Sequence, residues 1–218
     1  DGKTASGDPT GNSGSGEGDV IGVDVANIKL GSGGGTYTGN ALNNVFYAGT
    51  GGASTVNGST GDDTLSEGAD ANNGGSETFN GGAGTDTVDY SSRANPLSVT
   101  MDGSTASGDT VNSEADVIGT DVENVYGGAG TDTIVGNDND NDLEGNGGGD
   151  TICGGPGNDT LLGNHAVGDS TAGDAAHLHG GDCTDDAEAG YNLCLNTGTD
   201  ASATPAAAGS ANCELVSH

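Results

Sequence analysis

From Gly127 the chain counts in nines. GGAGTDTIV (127–135), GNDNDNDLE (136–144), GNGGGDTIC (145–153) and GGPGNDTLL (154–162) abut without a gap. Position one is always Gly, position six is Asp or Asn, and position eight is Ile or Leu. GGAGTDTVD (81–89) fits the same template, and GSTGDDTLS (58–66) fits nearly as well. NNGGSETFN (72–80) and GNALNNVFY (39–47) are weaker copies, with Glu77 and Asn44 at position six. LGSGGGTYT (30–38) keeps the spacing but places Gly35 there, and AGTGGASTVN (48–57) is one residue too long. A single GGxGxD could arise by chance in glycine-rich sequence; abutting units in register are a tandem array, whose folds are built by stacking.

Each position has a physical reading. Glycines at positions one, two and four permit positive φ and let carbonyls crowd around an ion. The apolar residue at position eight is expected to point inward, giving a narrow ladder of Leu65, Phe79, Val88, Ile134, Leu143, Ile152 and Leu161. Positions seven and nine then face outward. Thr64, Thr87, Thr133, Thr151 and Thr160 occupy position seven, where β-propensity on an exposed strand accounts for them. A flat threonine array that binds ice is the sharper reading, although Asp142 and Val45 interrupt it.

Composition decides what holds such an array together. Among 218 residues there are 45 glycines, 33 acidic residues and three basic ones, Lys3, Lys29 and Arg93, for a net charge of −30. With 30% hydrophobic and 3% aromatic residues, an ordinary bulky core is unavailable. Three cations cannot neutralise a run of phosphates, which argues against nucleic acid. An anionic membrane surface would repel the chain, and no apolar run approaches the ~20 residues of a membrane span. Similar compositions occur in disordered chains, but an acidic chain can order when a cation joins it. No protein cation is expected to serve internally, so a metal ion is the candidate. Oxygen ligands from Asp, Asn, Glu and backbone carbonyls suit a hard cation, calcium first.

The units GGAGTDTIV, GGPGNDTLL and GGAGTDTVD resemble the calcium-binding nonapeptide of the repeats-in-toxin (hemolysin-type) family, GGxGxDx(apolar)x. The likeness covers residues 30–89 and 127–162. It implies an all-β fold, a right-handed parallel β-roll or β-solenoid. In that family six residues form a turn, three form a short strand, and two nonapeptides complete a coil. It also implies several calcium ions between turns stacked on one side, held by position-six carboxylates and backbone carbonyls. Candidate metal ligands here are Asn44, Asp63, Glu77, Asp86, Asp132, Asn141, Asp150 and Asp159.

Two units per coil predicts ligand pairing at every second repeat. Asp132 should meet Asp150 on one side, and Asn141 should meet Asp159 on the other. Asn44, Asp63 and Asp86 should share a column in the first block, with Glu77 opposite. Gly35 and the overlong unit suggest that the Glu77 column binds weakly or not at all. Residues 67–71 break the count and are expected to bulge as a loop.

A longer repeat overlies the short one. DGKTASGD (1–8) matches DGSTASGD (102–109), and DVIGVDVANI (19–28) matches DVIGTDVENV (116–125). Asp19, Asp24, Asp116 and Asp121 recur at matched places, as solvated surface charge or as further calcium ligands. The resulting divisions are degenerate coils with an open end at 1–29, a first nonapeptide block at 30–89, an intervening solenoid-like repeat of about two coils at 90–126, a second block at 127–162, and a C-terminal cap at 163–218. An Asp at the first position points to processing or trimming. The open strand edge expected of the first coil would pair with another chain unless capped.

The cap region holds all four histidines and Cys183, Cys194 and Cys213, while Cys153 lies in the second block. Cysteine is unusual in repeats-in-toxin proteins, so this segment departs from the family. An even cysteine count and an oxidising exterior favour disulfides, in any of three pairings. A zinc site is the rival, because His177 and His179 stand near Asp174, Asp182 and Cys183, but neither CxxC nor HExxH is present. There is no GxSxG elbow or ordered Ser–His–Asp set. The leading expectation is a secreted, non-catalytic structural protein that folds on calcium and stacks on itself head to tail. A calcium-dependent module of a larger adhesin or secreted hydrolase is the alternative, and ice binding a minor one.

Overall fold

Eighteen residues make one coil of two short strands. The computed structural model describes residues 22–31, 33–49, 51–68 and 75–163, with the backbone of strands at 18–20, 177–179, 192–195 and 213–215. One face is a nine-stranded sheet built, in order, from β2 (Asn27–Lys29), β4 (Val45–Tyr47), β6 (Thr64–Ser66), β8 (Thr87–Asp89), β12 (Asn124–Tyr126), β14 (Asp142–Glu144), β16 (Thr160–Leu162), β18 (Asn192–Leu195) and β19 (Cys213–Leu215). The opposite face is split. Its first part stacks β1 (Gly18–Val20), β3 (Gly35–Thr38), β5 (Ser54–Thr60), β7 (Thr78–Ala83) and β11 (Val117–Ile118). Its second part stacks β9 (Leu97–Thr100), β13 (Thr133–Val135), β15 (Thr151–Cys153) and β17 (His177–His179), with β10 (Gly108–Asp109) on the outer side of β9. The result is an all-β parallel solenoid of about seven turns, with no helix among the described residues.

Strand alternation explains the interior. In a three-residue strand at positions seven to nine only the middle side chain points inward. Ile28, Phe46, Leu65, Val88, Val125, Leu143 and Leu161 stack in register down the continuous face. Tyr37, Val56, Phe79 and Ile118, then Val99, Ile134 and Ile152, line the other. All are buried. Position seven is less regular. Along the continuous face it reads Asn27, Val45, Thr64, Thr87, Asn124, Asp142 and Thr160, so its threonines form no unbroken row.

Residues 90–126 do not stack as two further coils. They add a single rung, β12, to the continuous sheet, between β8 and β14. The surplus length becomes an antiparallel β9–β10 hairpin with a bridge from Ser107 to Asp116. This insert separates the two sheets of the opposite face, since β11 pairs with β7 while β9 pairs with β13. Its apolar residues Tyr90, Leu97, Val99 and Met101 complete the core.

The insert also corrects the expectation that no protein cation serves internally. Arg93 is 2% exposed, and its guanidinium pairs with Glu67 at 3.2 Å and with Glu114 and Asp109. Glu67, expected to start a bulging loop, lies just past β6 and is 1% exposed, with its N–H donated to the Asp89 carbonyl. Residues 69–71 of that loop lie outside the described residues. Beyond Gly163, β17 continues the β15 sheet and β18 and β19 continue the β16 sheet. The His177 and His179 side chains, and with them the zinc reading, lie outside the described residues. Cys153 is buried and is no free thiol.

Candidate metal centres

Stacking by whole coils places position-six residues above one another just before each strand. On the continuous face the backbone N–H of Asn44 donates to Asp63 Oδ1 at 2.7 Å, and that of Asp63 to Asp86 Oδ1 at 2.7 Å. The N–H of Asp86 donates to Glu123 Oε2 at 2.8 Å, and that of Asn141 to Asp159 Oδ1 at 2.9 Å. On the other face Leu97 N–H donates to Asp132 Oδ1, and Asp132 N–H to Asp150 Oδ1, both at 2.9 Å. One carboxylate oxygen thus clamps the neighbouring coil. Asn44, Asp63 and Asp86 share one column, Asp132 lies beside Asp150, and Asn141 lies beside Asp159. Each of these residues is no more than 3% exposed, far from solvated surface charge.

The second oxygen is what points to an ion. Asp63 Oδ2 and Asp86 Oδ2 are buried and accept no hydrogen bond. A Cβ placed on Gly58 would lie 2.3 Å from Asp63 Oδ2 and 2.3 Å from the Gly81 carbonyl oxygen. One on Gly81 would lie 2.4 Å from Asp86 Oδ2 and 2.6 Å from the Asp121 carbonyl oxygen. Gly145 repeats the arrangement with Asp150 Oδ2 at 2.2 Å and the Gly163 carbonyl oxygen at 2.8 Å, and Gly154 has Asp159 Oδ2 at 2.2 Å. Glycine at position one therefore lets carboxylate and carbonyl oxygens converge where a side chain would otherwise stand. Such an all-oxygen cradle fits a hard cation. Asn44 and Asn141 differ. Their Oδ1 atoms accept from Asn40 and Asn137 N–H, and their amide nitrogens donate to the Val25 and Glu123 carbonyls. These two side chains are satisfied within the protein.

Electrostatics agrees with the geometry. Burial pushes the carboxyls of Asp63, Asp86, Asp132 and Asp159 up to about 6, against the lowering effect of backbone N–H donors. Burial also carries Glu77 to about 7, with the Glu114 charge adding to it. Carboxylates held this far from water take up either a proton or a cation. A bound divalent ion would supply the positive charge that permits these groups to remain ionised at neutral pH.

Glu77 does not join a nonapeptide column of aspartates. Its rung is preceded by those of Gly35 and Ser54 and followed by that of Asp116, whose Oδ1 accepts the Glu77 N–H at 2.8 Å. Asp116, weighed as surface charge or a further ligand in the sequence, is 1% exposed, whereas Asp24, the counterpart of Asp121, is exposed. Glu123 is a column member that the spacing missed. Its signal was Val125, two residues after it in DVENV, the spacing of positions six and eight in a nonapeptide.

Paired carboxylates, glycine cradles and a parallel two-faced roll define a calcium-binding β-roll. Residues 38–72, 72–89 and 126–161 match the RTX calcium-binding nonapeptide repeat in four copies, and the chain carries that repeat. No curated protein matches the chain as a relative.

Proposed function

We propose that this is a secreted, non-catalytic structural protein whose solenoid is cemented by several calcium ions and which stacks head to tail through its sheet edges. The observation that carries the calcium reading is the pair of buried, donor-free oxygens, Asp63 Oδ2 and Asp86 Oδ2, each packed with a main-chain carbonyl oxygen beside a glycine that a residue with a side chain could not replace. The specific ligands are then Asp63, Asp86, Asp150 and Asp159 with neighbouring main-chain carbonyls, while Asp132 stands beside Asp150 with both oxygens accepting, from Leu97 and Gly128 N–H. Secretion follows from the ion's chemistry: extracellular calcium modules bind with a Kd of ~10⁻⁴–10⁻³ M, a range filled outside cells. A disulfide-bearing C-terminal cap over 163–218 belongs to the same reading, although most of that region lies outside the described residues.

Assembly is supported by the edges. Among the described residues β2 pairs only with β4, and β19 only with β18. Both are parallel edges of one sheet, so the β2 edge of one copy matches the β19 edge of the next. A heterologous contact of this kind does not close and therefore propagates. Electron microscopy of the full chain in millimolar calcium, before and after chelation, tests this. Filaments that disappear with chelator are expected; monodisperse single particles at high calcium overturn the assembly.

A further inference from the structure

We infer that Glu67, Glu77 and Asp116 form a buried calcium site of their own at the junction of the two repeat blocks, outside the nonapeptide pattern. Ligand oxygens of these three side chains lie within 4.8 Å of one another. The residues come from three separate stretches: the end of the β6 rung, the start of β7, and the start of β11 within the insert. All three are 1% exposed.

Two features show that the protein alone does not satisfy this cluster. Both carboxylate oxygens of Glu77 and Oε1 of Glu67 are buried without a hydrogen-bond donor. Asp116 is held in place by the Glu77 N–H and by the Tyr90 hydroxyl at 2.8 Å, which positions it without balancing its charge. The nearby Arg93 guanidinium is already divided among Glu67, Glu114 and Asp109. One cation therefore faces five carboxylates. Buried charge of one sign is strongly unfavourable unless matched. An all-carboxylate set selects a hard ion. Calcium accepts a flexible protein cage, whereas magnesium retains several waters that a buried cluster has little room to admit. Bound there, calcium would tie the first block to the insert, and through the insert to the second block.

The inference stands apart from the nonapeptide calcium, and its test separates the two. In equilibrium dialysis of the full chain with calcium, Glu77→Gln should lose one equivalent relative to wild type, while Asp132→Asn with Asp150→Asn should lose calcium and leave the junction ion in place. A folded Glu77→Gln chain that holds the wild-type number of ions overturns the site, as expected if protons alone neutralise the cluster. Terbium offers a second readout, because Tyr90 touches Asp116 and can sensitise its luminescence. Tyr90→Phe should lower tyrosine-excited terbium emission without changing terbium stoichiometry. If Glu77→Gln does not fold, that variant decides: unchanged emission overturns the site.

Discussion

Two glycines of one turn illustrate how closely the ion cradle constrains single residues. Gly145 stands at position one of its nonapeptide, where a Cβ would meet Asp150 Oδ2 at 2.2 Å. Gly147 is two residues further on, where the nearest atom to a Cβ is Ala129 Cα at 3.4 Å, an ordinary contact. Gly145→Ala must displace a carboxylate that clamps the neighbouring coil, so a loss of about 1–3 kcal/mol, the range of overpacking, is expected. It should also weaken calcium binding at Asp150. Gly147→Ala meets no such obstacle and removes freedom from the unfolded chain, so it should be neutral or stabilise by about 0.5 kcal/mol. Thermal melts in millimolar calcium check the pair, and equal losses in both would contradict the cradle. Asn44 and Asn141 show the converse. An amide can donate as well as accept, and both side chains use that capacity to close against the carbonyl of the preceding rung.

At the scale of elements, the insert between β8 and β12 is held by one buried charge cluster. Arg93 pairs with Glu67 from the first block and with Asp109 and Glu114 from the insert itself. Removing one partner of a buried charge pair costs about 3–5 kcal/mol, because the other charges stay behind uncompensated. Arg93→Ala should therefore destabilise the fold by that amount in denaturant titration, while Val111→Ala, on the exposed part of the insert at 63%, should change it by no more than about 0.5 kcal/mol. Comparable effects would mean that the cluster does not anchor the insert. The same region marks where the sequence stops being legible. Spacings of 18, as between Asp132 and Asp150 or Asn141 and Asp159, follow directly from counting in nines. Asp86 meets Glu123 across 37 residues and Glu77 meets Asp116 across 39, because a hairpin lies between them. No local period encodes that distance, and without the glycine signature Asp116 stays open between surface charge and ligand while Glu123 carries no signal of its own. Arg93 was illegible for a related reason: its partners lie 26 residues before it in the first block and further along the interruption, at separations no repeat encodes.

For the whole molecule, the side chains that order the roll also set its response to acid. Its hydrophobic ladder contributes one inward residue per strand, and 45 glycines make the unfolded chain entropically favourable. Each calcium site, at tenfold excess over its Kd, adds about 1.4 kcal/mol, so several sites together reach the scale of a domain's stability. Chelation at pH 7 should then abolish most of the β circular-dichroism signal. Acid should act in opposite directions with and without the ion. In ion-free protein the carboxyls of Asp63, Asp86, Asp132 and Asp159 sit near 6, above their ordinary value near 3.8. A raised folded-state pKa favours folding fully below the unfolded value, and that contribution is lost as pH rises through 6. Lowering the pH from 7 to 5 should therefore return part of the β signal, and with it a melting transition, to dialysed, calcium-free protein. With calcium present the same carboxylates are held ionised by the ions, protons compete for them, and the same change should lower the melting temperature. Circular dichroism and melting curves at pH 7 and 5, with and without millimolar calcium, measure both responses. Responses of the same sign would show that these buried aspartates do not exchange protons for calcium.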